Sequence, residues 1–237
     1  MDIFCRLYDY HVFNDEPLSD GAPKKFTIQM FGKNAEGKTY SILVRNFKPF
    51  FFVLVPNGKR WDRYNLNAFM KNLKTKCGYG IDAGELIDRK KLYGFDGGQQ
   101  QQFVKLSFSN TTIMNRVKKM WYNMIDDKYS RWGKRRVLKE EGYRGTRIYE
   151  SNIPPLLRYF HIQNISPSGW IGFSSSDARS ITRKKTTCDY EYSINYDNIH
   201  SVKKEESVPL IMCSFDIEAS SSHGDFPLPK KLSLIHI

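Results

Sequence analysis

Apolar residues in the first fifty positions come in short alternating runs. Ile3 to Phe13, Phe26 to Phe31 and Tyr40 to Phe47 are each rich in aromatic and β-branched residues. Turn formers separate them, with Pro and Gly inside Asn14 to Lys25 and Lys33-Asn34-Ala35-Glu36-Gly37-Lys38 as a hairpin loop. Runs of this length and composition predict strands, so the chain is expected to open as a β-meander or a small barrel.

The period then changes. Phe50 to Pro56 (F-F-F-V-L-V-P) is a continuous apolar run, the pattern of a buried strand. Leu66, Phe69, Met70, Leu73 and Cys77 recur at helical spacing and predict a helix from about Trp61 to Cys77, stopped by Gly78. Strands are expected at Glu85 to Phe95 and Phe103 to Phe108, with a Gly97-Gly98 turn between them. Asn110 or Thr111 caps a second helix whose stripe is Ile113, Val117, Met120, Trp121 and Met124. Arg147 to Glu150 closes the set as a strand. Strand, helix, strand, strand, helix, strand is the ferredoxin-like βαββαβ order, shared by many RNA-binding modules. The third strand reads Q-F-V-K-L-S-F and lacks the glycine-aromatic signature of a base-stacking sheet. A scaffold role is favoured over base readout.

Further on, Asn152 is expected to cap a third helix with Pro154 in its first turn. Its apolar face is Ile153, Leu156, Leu157 and Phe160, and His161 is read as a packing or surface residue. Gly169 to Phe173 and Thr187 to Ile194 read as strands around a basic loop, Ser174 to Lys185. A charged linker, Asp197 to Ser207, leads to Leu210 to Ser222 (L-I-M-C-S-F-D-I-E-A-S-S-S). That run is expected to be a buried strand. Alternation puts Asp216 and Glu218 on one face, roughly 6–7 Å apart. Two carboxylates at a strand end are candidate ligands of divalent metal, and paired metals cleave phosphodiesters. A chain with 25 acidic residues also produces Asp-x-Glu by chance.

Composition sharpens this picture in three ways. With 237 residues, 40% hydrophobic and 14% aromatic, the chain can build a core and is not of the disordered class. A net charge of +12 favours a polyanionic partner, nucleic acid before anionic membrane. Part of that charge lies in Lys128 to Arg144, where Lys128, Arg131, Lys134, Arg135 and Arg136 alternate with Tyr129 and Trp132. This composition suits phosphate contacts with occasional stacking, or equally a solvated connecting loop. Cys5, Cys77, Cys188 and Cys213 form no Cys-x-x-Cys pair, so reduced thiols are expected and a zinc site is not. No secretory leader pattern and no run of about 20 apolar residues is found, so the protein is expected to be intracellular and not bound to a membrane.

Several segments also occur in a telling order. R-I-Y-E-S-N-I-P-P-L-L-R-Y-F (Arg147 to Phe160), Gly169-Trp170-Ile171, T-C-D-Y-E-Y (Thr187 to Tyr192) and S-F-D-I-E-A-S-S-S-H-G-D-F-P-L-P (Ser214 to Pro229) follow one another at fitting distances. Together with K-L-Y-G-F-D-G-G and F-F-F-V-L-V-P, this resembles the amino-terminal part of a family B DNA polymerase, closest to delta-type catalytic subunits, including those of large DNA viruses. The resemblance runs from about residue 40 to Pro229. It implies an α+β protein: an amino-terminal domain over residues 1–205, strand-rich and barrel-like at first and then ferredoxin-like, followed over 206–237 by the start of an RNase H-like 3′–5′ exonuclease domain. It implies a DNA-directed DNA polymerase with proofreading, acting in replication. Asp216 and Glu218 match the acids of the first exonuclease motif, which bind two Mg2+ ions in that family. The implied partners are template-primer DNA, deoxynucleotides and replication accessory proteins. The implied location is the nucleus of a cell or the replication site of a virus. The remaining exonuclease acids and the polymerase aspartates have no counterpart in these 237 residues. The polypeptide is therefore expected to be a truncated piece, catalytically incomplete alone. The alternative is a non-catalytic module that binds single-stranded nucleic acid.

Overall fold

The structure is a computed structural model that describes residues 2–15, 23–56, 59–91, 97–121, 123–125, 128–130, 143 and 145–216. Thirteen strands and three α-helices are found among these residues: β1 (Asp2–Asp15), β2 (Lys25–Lys33), β3 (Thr39–Arg45), β4 (Phe50–Leu54), α1 (Arg63–Cys77), β5 (Ile81–Lys90), β6 (Gln100–Phe108), α2 (Thr111–Lys118), β7 (Asn123–Ile125), β8 (Lys128–Ser130), β9 (Arg147–Tyr149), α3 (Pro155–Gln163), β10 (Trp170–Ser174), β11 (Ala178–Ser180), β12 (Tyr190–Asn195) and β13 (His200–Val202).

Two larger sheets are nested in sequence. The first has seven strands in the order β11-β12-β3-β2-β1-β10-β13. Every pairing in it is antiparallel except that of β12 with β3. The second, β5-β6-β4-β9, is antiparallel throughout and comes wholly from the chain between β3 and β10. A separate hairpin pairs β7 with β8.

Alternation builds two cores from these sheets. Phe26, Ile28 and Met30 of β2 and Tyr40, Ile42 and Val44 of β3 face inward, where Tyr159 and Phe160 of α3 cover them. In the second sheet, Phe51, Val53, Val104, Leu106 and Phe108 pack beneath Phe69, Leu73 and Cys77 of α1 and Ile113, Met114 and Val117 of α2. The spacing of 69, 73 and 77 puts one face of α1 on the sheet. A capping box starts that helix, with the Asp62 side chain accepting from Asn65 N at 2.8 Å and the Asn65 side chain accepting from Asp62 N at 3.2 Å. Gly78 ends it at φ 80°, a conformation that favours glycine.

The sheets are stitched together at α2. Asn110 caps that helix by accepting from Ile113 N at 3.0 Å, and donates its own amide to Lys24 O at 2.6 Å. Beside it, Phe26 N donates to Ser109 O at 2.8 Å.

Several elements depart from the sequence reading. The second helix was expected to carry Met120, Trp121 and Met124. It ends at Lys118, a 3-10 turn follows at Lys119–Trp121, and Met124 lies in β7. Trp121 is drawn into the core there, and its ring N–H donates to Thr146 Oγ1 at 3.2 Å. The third helix begins after Pro154, which gives no side-chain cap, so Asn152 is not its N-cap. Its buried residues are Arg158, Tyr159 and Phe160, whereas Ile153 and Leu157 are exposed. The expected charged linker holds a short 3-10 turn and β13, which extends the first sheet beside β10. The largest correction concerns Leu210 to Glu218. Residues 203–216 belong to no strand or helix, and Leu210, Ile211, Met212 and Phe215 are exposed. A strand needs a ladder partner for its N–H and C=O groups, and none of the described residues provides one here. Residues 217–237, with Glu218, lie outside the described residues.

Candidate functional site

The segment that carries Asp216 leaves β13 as a strap along the first sheet. The register places Lys33, Arg6 and Trp170 in one row across β2, β1 and β10. Both ends of this row hold the strap. Trp170 donates its ring N–H to Glu206 O at 2.9 Å, and Lys33 Nζ donates to Pro209 O at 2.8 Å. Lys204 lies 4.4 Å over the Trp170 ring and ion-pairs with Glu206 at 2.5 Å. Trp170 is thus buried under the strap it anchors. Beyond Pro209 the chain is exposed through Asp216.

Asp216 brings a hard carboxylate oxygen, the donor type that Mg2+ takes. Among the described residues, no group of three His, Cys, Asp or Glu side chains stands close enough to hold a metal. Asp216, one of the two expected ligands, is among the described residues, and Glu218, the other, is not.

Of the basic residues expected to touch nucleic acid, Lys128 falls in β8. Arg131, Lys134, Arg135 and Arg136 lie outside the described residues. Cys5, Cys77 and Cys188 are buried free thiols and Cys213 is an exposed one. Burial pushes the Cys5 thiol up to about 12, which leaves it un-ionised and inert at neutral pH. No described helix is long and apolar enough to cross a membrane.

Two features escaped the sequence reading. The face of the four-stranded sheet opposite α1 and α2 gathers aromatic rings. Phe52 meets Phe50 at 5.4 Å and Phe103 at 6.4 Å, and Phe103 meets Tyr149 at 5.5 Å, all edge to face. Arg158 lies over Phe50 at 4.5 Å, and Lys105 over the same ring at 4.7 Å. Phe50 and Phe103 are buried, so this face is packed rather than offered to a base. The spacing of Phe50 and Phe52 on one face of a strand was the available signal.

The second feature is Glu191. Its side chain is buried on β12, and the turn from β11 folds around it. The carboxylate accepts from Lys185 N at 3.0 Å, Thr186 N at 2.6 Å and Thr186 Oγ1 at 2.6 Å. Burial pushes its pKa up, but the Thr186 hydroxyl and the Lys185 and Thr186 amides outweigh that and hold it below the ordinary value. Asp189 is also held low, first by the Thr39 amide and then by the Thr39 hydroxyl.

Comparison with known proteins gives these features a context. Residues 146–237 match the model of the DNA polymerase family B exonuclease domain. The chain is 42% identical to the DNA polymerase of Phaeocystis pouchetii virus, over 95% of this chain and 23% of that protein. It is 28% identical to the DNA polymerase delta catalytic subunit of Schizosaccharomyces pombe, over 98% of this chain and 21% of that protein. The chain thus spans about a fifth of the length of these relatives. Its fold is similar to that of the family B DNA polymerase from the archaeon Pyrobaculum calidifontis, with a TM-score of 0.55 over 88% of this chain and 21% of that one. At 16% identity that likeness concerns the mixed α and β, strand-rich fold alone.

Proposed function

We propose, for a chain similar along 95% of its length to a viral DNA polymerase and matching the family B exonuclease model at residues 146–237, that it supplies the amino-terminal body and the first exonuclease acids of a DNA-directed DNA polymerase with 3′–5′ proofreading. The observation that carries this reading is the ordered similarity, which takes in Ser214 to Ser220. In it, residues 1–205 form the amino-terminal domain and the four-stranded unit with α1 and α2 is its ferredoxin-like βαββαβ part. Residues 206–237 begin the exonuclease domain, of RNase H-like fold. Template-primer DNA, deoxynucleotides and replication accessory proteins are the partners. The place of action is the site of genome replication, in a nucleus or a viral replication site.

Asp216 and Glu218 are the proposed Mg2+ ligands. Bound there, paired Mg2+ ions would activate water and stabilise the leaving oxygen of a terminal phosphodiester. The chain's own contribution is placement. The strap fixes the path along which Asp216 leaves the first sheet, through Trp170 and Lys33. Lys128, Arg131, Lys134, Arg135 and Arg136 are proposed to neutralise phosphates of the bound strand.

The test is Mg2+-dependent shortening of a 5′-labelled single-stranded oligonucleotide, with Asp216→Ala as control. If these acids are ligands but more are required, the 237-residue chain binds Mn2+ at Asp216 and Glu218 without cutting, and the variant loses that binding. Mn2+ binding that survives Asp216→Ala would refute the ligand assignment. Cutting that Asp216→Ala abolishes would show that the chain is catalytically complete.

A further inference from the structure

We propose that the turn between β11 and β12 is a second nucleic-acid contact surface, taking the phosphate backbone through Arg179, Arg183 and Lys185, and that buried Glu191 is the residue that keeps it in binding shape. The proposal rests on the DNA-handling reading above and assigns a surface that this reading did not use.

Between positions 177 and 191 the sequence has four cations (Arg179, Arg183, Lys184, Lys185) and three acids (Asp177, Asp189, Glu191). By count the segment is nearly neutral. The fold sorts the charges. Glu191 is consumed by the Lys185 and Thr186 donors. Asp189 is occupied by Thr39, whose amide donates to it at 2.8 Å, and by Lys38. Lys184 turns back to donate to Cys188 O at 3.1 Å and Asp189 O at 3.4 Å. Arg179, Arg183 and Lys185 are left exposed, with no ion pair among the described residues, and of the three acids only Asp177 stays exposed without a cation partner there. Arg179 pairs with Ser193, two residues from Glu191 on β12, so it shares a sheet face with the buried carboxylate.

The chemistry fits a backbone rather than a base. Arginine forks match phosphate oxygens. Tyr190, an exposed ring of β12, is on the opposite face and stacks on Tyr40 at 5.2 Å. Contact without base edges or stacking carries no sequence preference. A turn held at both ends also loses little freedom on binding, which a floppy basic loop would lose.

This arrangement makes a prediction opposite in sign to simple electrostatics. Glu191→Gln removes a negative charge, so a charge-only surface would bind DNA more tightly. If Glu191 shapes the turn, binding weakens, by about threefold or more on the preorganisation argument. The measurement is anisotropy of a labelled single-stranded oligothymidine against the full chain across a salt series. Arg183→Glu with Lys185→Glu should weaken binding about tenfold at low salt and lower the log–log salt slope by about 1.4, two contacts at 0.7 each. Thr186→Val, which keeps every charge, should weaken binding in the same direction as Glu191→Gln. Circular dichroism confirms that each variant is folded, and Thr186→Val takes the place of Glu191→Gln if the latter is not. Tighter or unchanged binding by a folded shape variant overturns the role of Glu191. Unchanged binding and slope in the Arg183 and Lys185 variant overturns the surface, while wild-type binding leaves the DNA-handling reading standing. A wild-type chain that binds no oligonucleotide at any salt overturns both.

Discussion

Arg158 and Glu150 form a two-point contact, from Nη1 to the Glu150 carboxylate at 2.6 Å and from Nη2 to its backbone carbonyl at 3.1 Å. Arg158 is 7% exposed on α3, and Glu150 sits just after β9 at φ 57°, an uncommon conformation for glutamate. The pair ties the helix that covers the first sheet to the edge of the second. Arg158→Ala should cost about 2–4 kcal/mol in denaturant unfolding, towards the low end because Glu150 can turn to water. Arg158→Lys should recover less than half, since lysine cannot fork to both acceptors or stack on Phe50.

Glu191 should make the fold acid-sensitive. Its folded pKa is depressed, so its stabilisation is fully present above the unfolded carboxylate value of about 4.3 and is lost as pH falls through the folded value. Melting of the wild type and of Glu191→Gln should differ most near pH 7. The gap should shrink below about pH 4. A gap that stays constant from pH 7 to pH 3 would rule out a stabilising carboxylate.

One of the two holds on the strap is the Trp170 indole N–H. Trp170→Phe keeps an aromatic ring but removes the donor to Glu206 O, a loss of about 1 kcal/mol. Limited proteolysis should then cut residues 203–216 faster, with the global melting point little changed. Equal cutting rates would mean that Lys33 and Lys204 hold the strap alone.

Gly80 gives a backbone test. At φ 99° a side chain is strained, and an added Cβ would clash with Ile113 Cδ1. Gly80→Ala should cost about 1–3 kcal/mol. Adding Ile113→Val removes the clashing methyl and should recover part of that cost, leaving the backbone part, and a double-mutant cycle separates the two.

The sequence disclosed what local rules control. The Leu66 to Cys77 stripe, Asn110 as a cap and the run Phe50 to Pro56 all reappear because period, capping and continuous apolarity are near-neighbour properties. Arg158 was invisible as a buried residue because an arginine inside requires a partner, and Glu150 becomes one only when the chain turns at positive φ. Glu191 was invisible for the same reason, its donors being backbone amides of a turn read only as polar and basic. The strand expected at Leu210 to Glu218 shows the opposite limit. Apolar alternation reports what a segment can pair with, and pairing needs a second segment. Asp216 is singled out only by its motif, whereas the strap that carries it depends on a register between residues more than 160 positions apart in sequence, Arg6 and Trp170.

The nesting of one sheet inside the other sets an order of events during synthesis. The four-stranded sheet is complete once residue 149 has left the ribosome. The seven-stranded sheet must wait for residues 170–202, and its β1, β2 and β3 form only a three-stranded meander until then. Long-range pairing is slow to form, and a meander with its apolar face uncovered is exposed to misassociation. The later sheet is therefore the vulnerable one on a stalled ribosome. Nascent chains from which residues up to about 160 have emerged should show a protease-resistant body built on β4, β5, β6 and β9 beside an open, easily cut amino terminus.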